Sequence, residues 1–358
     1  MQKKIFLILA SVVCCVSAYS EAIIKWNLTD YDFGAFHESS GPATAVFTFY
    51  NTGDEPLVVT GARANCGCTT PKTSANIVEA GDSATLTVTY DPGGRPGRFE
   101  KNVFVDTNTA DPRSTLTIRG VVVGSPETLK GRYPVETGEL RIAHPAALLG
   151  TIDKGQVKAV FEAFYNASTD TMQPVMTDVP RWMSVKTVPT KVPPGEQGSF
   201  SIMVNSGQIP EWDMVTDSVT VKPTADSPES YRMPVIVTVT ENFGKMTDKE
   251  IADAPVVSLD RERLEPVKLS DRGGETTFTI TNTGKSPLKI RRLYTRTPGV
   301  TSDIKADQTI KPGKSRTIKI SIPADVLSGS EGAASVMLTL VTNSPGKPKT
   351  LITVPVTK

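Results

Sequence analysis

Cys66-Gly67-Cys68 is the pairing in this 358-residue sequence best suited to chemistry. In an oxidising compartment, two thiols this close join as a local disulfide. A ring so small departs from relaxed geometry and reduces readily, and the intervening glycine lets the backbone turn tightly enough to close it. Two thiolates offer the alternative of holding a soft ion such as Cu(I). They do not make a structural zinc site, which needs four ligands. The remaining cysteines, Cys14 and Cys15, sit in an N-terminal apolar run. A loop staple is the plainer reading of Cys66 and Cys68; thiol exchange and metal binding stay open, and the metal is unspecified.

Other reactive groups are sparse. His37 and His144 are the only histidines, and both read as surface residues in or beside loops. No Gly-rich phosphate loop, nucleophile elbow or His-Glu-x-x-His helix is present. The acidic residues form no pattern that marks a glycosidase pair, whose carboxylates must flank one bond. The expectation is a non-enzyme without a cofactor.

Charge is unevenly spread. Basic and acidic residues number 8 and 12 over 19–125, 12 and 17 over 126–254, and 17 and 9 over 255–358, giving nets of −4, −5 and +8. Lys289, Arg291, Arg292 and Arg296 cluster around one strand whose Leu288 and Ile290 alternate inward. Such a run is usually a solvated face. As a site it would contact an anionic lipid or glycan surface, or an acidic cell-envelope protein, steered by the field of the domain. Nucleic acid is not expected, since Tyr294 is the only aromatic among these cations.

The elements that must carry these residues are strands. Segments such as Thr85-Leu86-Thr87-Val88-Thr89-Tyr90 alternate between apolar and polar, and turn formers interrupt them. Only Lys245 to Asp253 hints at a helix. Asn51-Thr52-Gly53-Asp54-Glu55-Pro56 returns as Asn282-Thr283-Gly284-Lys285-Ser286-Pro287 and, less closely, as Asn166-Ala167-Ser168, at spacings of 115 and 116 residues. Gly81, Gly195 and Gly313 each precede an alternating strand at matching intervals. Three tandem immunoglobulin-like β-sandwiches follow, at 19–125, 126–254 and 255–358, with joints near Gly124 to Tyr133 and Asn242 to Ala254. Joints so short imply a semi-rigid rod.

Lys3 and Lys4, the apolar run Ile5 to Val16 and the small residues Ser17-Ala18 form a signal peptide over 1–18. Cleavage there removes Cys14 and Cys15, with a lipid-anchored form as the weaker alternative. No later stretch approaches the roughly 20 apolar residues of a membrane helix. The mature chain is therefore expected to be soluble and exported, to the periplasm or beyond.

Asp32-Phe33-Gly34, the Asn51-Thr52-Gly53-Asp54 turn, Asn65-Cys66-Gly67-Cys68-Thr69, Ala80-Gly81-Asp82 and Leu116-Thr117-Ile118-Arg119-Gly120 together resemble the secreted bacterial domain-of-unknown-function family 1573. The resemblance covers roughly residues 25 to 123. The other two domains share only the turns and lack the cysteines, with Thr297-Pro298-Gly299 near the corresponding place in the third. It implies a Hydin-like immunoglobulin fold, an exported location and a source such as the Bacteroidetes, and it supplies no activity. Taken together, the sequence reads as an exported structural or binding protein of the cell envelope, with thiol redox or copper handling at Cys66 and Cys68 as the alternative.

Overall fold

The structure is a computed structural model that describes residues 20–327 and 333–358. The expected signal peptide at 1–18 lies outside the described residues. The described residues are nearly all β, as the alternating segments require, and their strands form six sheets.

In the first sandwich a four-stranded sheet runs in the order Ile24–Trp26, Ala43–Asn51, Ser83–Tyr90, Thr69–Thr73. It faces a five-stranded sheet in the order Asp30–His37, Arg113–Val123, Gly97–Thr107, Leu57–Ala64, Ile77–Val78. Every second residue points between the sheets. Phe47, Phe49, Leu86 and Val88 from one face meet Val103, Val105, Leu116 and Ile118 from the other in a single core. Tyr90 stacks on Phe99 with ring centroids 3.9 Å apart.

The third sandwich repeats this strand order element for element: Val257–Leu259, Gly274–Asn282, Ser315–Ile322, Thr301–Ser302 opposite Val267–Lys268, Lys349–Thr357, Ala333–Thr342, Leu288–Thr295, Gln308–Ile310. The middle sandwich departs from it. A hairpin, Val135–Thr137 and Leu140–Ile142, takes the place of the first strand, and the last edge strand shrinks to one bridge between Met172 and Val192.

The repeated asparagine explains the shared design. Asn51, Asn166 and Asn282 are all buried. Each Nδ2 donates to two carbonyls, those of Glu55 and Val78, Asp170 and Val192, or Ser286 and Ile310, at 2.7–3.0 Å. Each Oδ1 accepts the amide two residues ahead, at 3.1, 2.9 and 3.0 Å. Each asparagine carbonyl accepts the amide of Gly81, Gly195 or Gly313 at 2.8–3.0 Å. The two sequence landmarks are therefore two halves of one staple. Burying an amide without such partners costs about 1–3 kcal/mol, so the staple fixes the turn. The glycines sit at φ 83°, 68° and 68°, where side chains are disfavoured.

Both expected joints contain a short helix. Pro126–Lys130 is capped by Ser125, and Asp248–Ala252 by a reciprocal box between Thr247 and Glu250. The chain resolves into two compact units: Met1–Arg132 with Tyr165–Met172 and Val192–Gln197, and Tyr133–Phe164 with Gln173–Lys191 and Gly198–Lys358. Most of the middle sandwich thus shares a unit with the third, and the reason lies in the basic strand.

Candidate functional site

A disulfide joins Cys66 and Cys68, in the loop between strands Leu57–Ala64 and Thr69–Thr73. Both ends of the loop are anchored. The amide of Asn65 donates to the carbonyl of Asn102 at 3.2 Å, and the carbonyl of Cys68 accepts from Asp91 at 2.9 Å. Both cysteines are half-buried, and Cys68 packs against the core of the first sandwich. The buried hydroxyl of Thr69 lies 3.4 Å from the Cys66 sulfur and 3.7 Å from that of Cys68. One expectation is corrected here. Gly67 is outside the left-handed region, and a Cβ built on it would meet nothing within 4 Å. The turn does not require glycine, and the space a side chain would take at this position is open.

The four basic residues do not form one free face. Strand Leu288–Thr295 carries a bulge between Ile290 and Arg292, which aims Arg291 away from its own sheet. Arg291 donates to Glu241 at 3.1 and 2.7 Å and to Asp307 at 2.8 Å, and its guanidinium sits 4.5 Å from the centre of the Trp212 ring. The ammonium of Lys154 lies 5.0 Å from the same ring. Burial alone would ease the proton off Arg291, but its carboxylate partners outweigh that and raise its pKa. Arg292 donates to the carbonyls of Trp212 and Met214 at 3.0 and 2.9 Å. Tyr294 donates to Asp213 at 2.9 Å, and Lys349 approaches the same carboxylate at 2.7 Å. Burial first, and then this bond, push the Tyr294 phenol above its usual range. Asp213 is buried at φ 64°, a conformation such residues hold only where their surroundings enforce it. Lys289 and Arg296 remain exposed, the latter 3.1 Å from the Met214 sulfur. The arrangement is a clamp on Trp212, Asp213 and Met214 of the middle sandwich. Sequence reasoning missed Trp212, Asp213 and Glu241, because their role appears only when two sandwiches meet.

The histidines are not brought together. His37 ends its strand, while His144 places Nδ1 2.8 Å from Oε2 of the buried Glu162. Among the described residues, no three His, Cys, Asp or Glu side chains group as a metal would need. A second feature went unpredicted. Val157 and Phe161 point outward from strand Val157–Asn166, with Phe161 66% exposed, and Met203 points outward from the neighbouring strand. Beside them lies a cleft of about 310 Å³ lined by Val157, Trp182 and Met203, with Arg181, Asn205 and Gln208 at its polar side.

A family model described as protein of unknown function (DUF1573) matches residues 24–122 and 260–354, more than half of the chain. The chain belongs to this family. The second match extends beyond the first domain, to a region where the sequence resemblance had rested on turns alone. The middle sandwich of this DUF1573 protein lies outside both matched ranges. It also carries Ser168 where Gly53 and Gly284 stand; a Cβ on either glycine would lie 2.1 or 2.4 Å from the incoming chain. That chain follows another course in the middle sandwich, through the hairpin at Val135–Thr137.

No curated protein matches the chain. A protein of unknown function from Porphyromonas gingivalis W83 is similar over 62% of this chain and 100% of its own, at 18% identity and a TM-score of 0.46. PapD-like domain 7 of human CEP192 covers 34% of this chain with 99% of its own, at 9% identity and a TM-score of 0.24. The human desmocollin-1 ectodomain covers 94% with 58% of its own, at 9% identity and a TM-score of 0.27. No catalytic family is indicated for this DUF1573 protein. Among its described residues no helix is long and apolar enough to cross a membrane.

Proposed function

We propose that this protein is a non-enzymatic, exported component of the cell envelope that binds a protein partner through the middle sandwich. The observation that carries the reading is the outward apolar group Val157, Phe161 and Met203 beside the Trp182 cleft. Large apolar side chains exposed on one sheet face are the kind of surface that protein contacts use. Domain boundaries at 125 and 254 belong to the same reading. Engagement of Arg291 and Arg292 within the protein leaves Lys289 and Arg296 as the exposed basic pair, which favours a protein partner over an anionic glycan or lipid surface.

The test is fractionation of envelope material from cells making the full chain, with Phe161→Glu beside it. The wild type is expected to migrate in a larger assembly and the variant as a free chain. Identical migration, or retention of the wild type in the cytoplasm, overturns the reading.

A further inference from the structure

The Cys66–Cys68 loop has features that a structural staple would not need. A cross-link between residues two apart restrains almost none of the unfolded chain and contributes far less than the roughly 2–4 kcal/mol of longer loops. The third sandwich builds the corresponding turn, Thr297-Pro298-Gly299, with no cysteine, on the same strand order. The bond is therefore dispensable for this architecture. Its surroundings suit exchange: the loop is pinned at Asn65 and Cys68 by backbone hydrogen bonds that do not depend on the sulfurs, and space is open above Gly67. A buried hydroxyl stands within reach of both sulfurs, where it can donate to a thiolate.

We propose that Cys66 and Cys68 form a reversible redox site that exchanges with a protein dithiol while the fold stays intact. A partner thiolate attacks the Cys66 sulfur, which is not packed in the core, and forms a mixed disulfide. The Cys66–Cys68 bond breaks, and Cys68 leaves as a thiolate that accepts a hydrogen bond from Thr69 and then a proton. The second partner thiolate attacks the partner sulfur of the mixed disulfide and expels Cys66, which is protonated in turn. The two cysteines gain two electrons and two protons, and the partner dithiol becomes a disulfide. The site is independent of the Phe161 surface.

The experiment uses the full chain with Cys14 and Cys15 replaced by Ser, equilibrated in dithiothreitol redox buffers and read by alkylation gel shift. Native protein is expected to pass reversibly between zero and two free thiols without denaturant, with its melting temperature unchanged. Thr69→Val is expected to slow reduction by dithiothreitol roughly tenfold, because the departing Cys68 thiolate loses one hydrogen bond to a charged group, whereas Thr69→Ser restores the rate. In single-thiol variants, Cys66 in Cys68→Ser is expected to react with an aromatic disulfide about tenfold faster than Cys68 in Cys66→Ser. Resistance of the native chain to reduction, unfolding on reduction, or faster reaction at Cys68 overturns the proposal. Envelope migration tested with Phe161→Glu is a separate readout, so either idea can fail alone.

Discussion

In the first sandwich, strand Leu57–Ala64 bulges between Val59 and Gly61 and runs into the disulfide loop; in the third, Leu288–Thr295 bulges between Ile290 and Arg292 and runs into Thr297-Pro298-Gly299. The bulged residue is Thr60 in one and Arg291 in the other. Thr60 faces solvent, whereas Arg291 grips Glu241, Asp307 and Trp212. The same bend of backbone thus carries an exposed threonine in one copy and a clamping arginine in the other, and Gly61 stands where Arg292 makes its two further bonds. The loop that follows differs in the same sense. Gly299 sits at φ 75° with a would-be Cβ 2.9 Å from Pro323, while Gly67 has empty space above it. The loop is sterically tight in the third sandwich and open in the first.

Removing the ring at the centre of the clamp breaks this comparison most directly. Trp212→Ala is expected to destabilise the unit holding the middle and third sandwiches by about 3–5 kcal/mol and to expose 242–254 to limited proteolysis. Thr60→Ala, at the matching bulge, is expected to stay within about 0.5 kcal/mol by thermal melting. If Trp212→Ala melts like the wild type and remains uncut, the joint is not held by the clamp.

Alkali attacks the same joint through one proton. Because the Tyr294 phenol titrates above its ordinary value of 10.0 in the folded protein, its contribution is fully present below about pH 10 and is lost as pH rises through the folded value. Protease sensitivity at 242–254 is expected to rise above pH 10 in the wild type and to change less with pH in Tyr294→Phe. A pH dependence identical in the two proteins would remove Tyr294 from the joint.

The loops sharpen the comparison on a smaller scale. Gly299→Ala is expected to cost about 1–2 kcal/mol for its left-handed backbone and its contact with Pro323, and Gly67→Ala close to nothing, both measured by denaturant titration. The paired change Cys66→Ser with Cys68→Ser is likewise expected to shift stability little, by under about 1 kcal/mol. A double variant that fails to fold would make the pair structural and end the redox proposal.

Residue periodicity, turn chemistry and the asparagine spacing determined that this is a chain of β-sandwiches, because alternation and left-handed glycines are local properties carried by each segment. Leu288 and Ile290 could be placed in the core for the same reason. The sequence also placed Cys66 and Cys68 side by side, where a bond needs no long-range fold. What it did not determine was the use of the basic strand. Arg291 looks like any exposed arginine until the bulge redirects it, and its partners Trp212 and Glu241 lie 79 and 50 residues earlier. Whether a cation is solvated or clamped depends on which surfaces meet, and that is decided by tertiary contact. The open space over Gly67, the hydroxyl between two sulfurs and the outward Phe161 were hidden for the same reason: each is defined by what surrounds a residue in three dimensions rather than by its type.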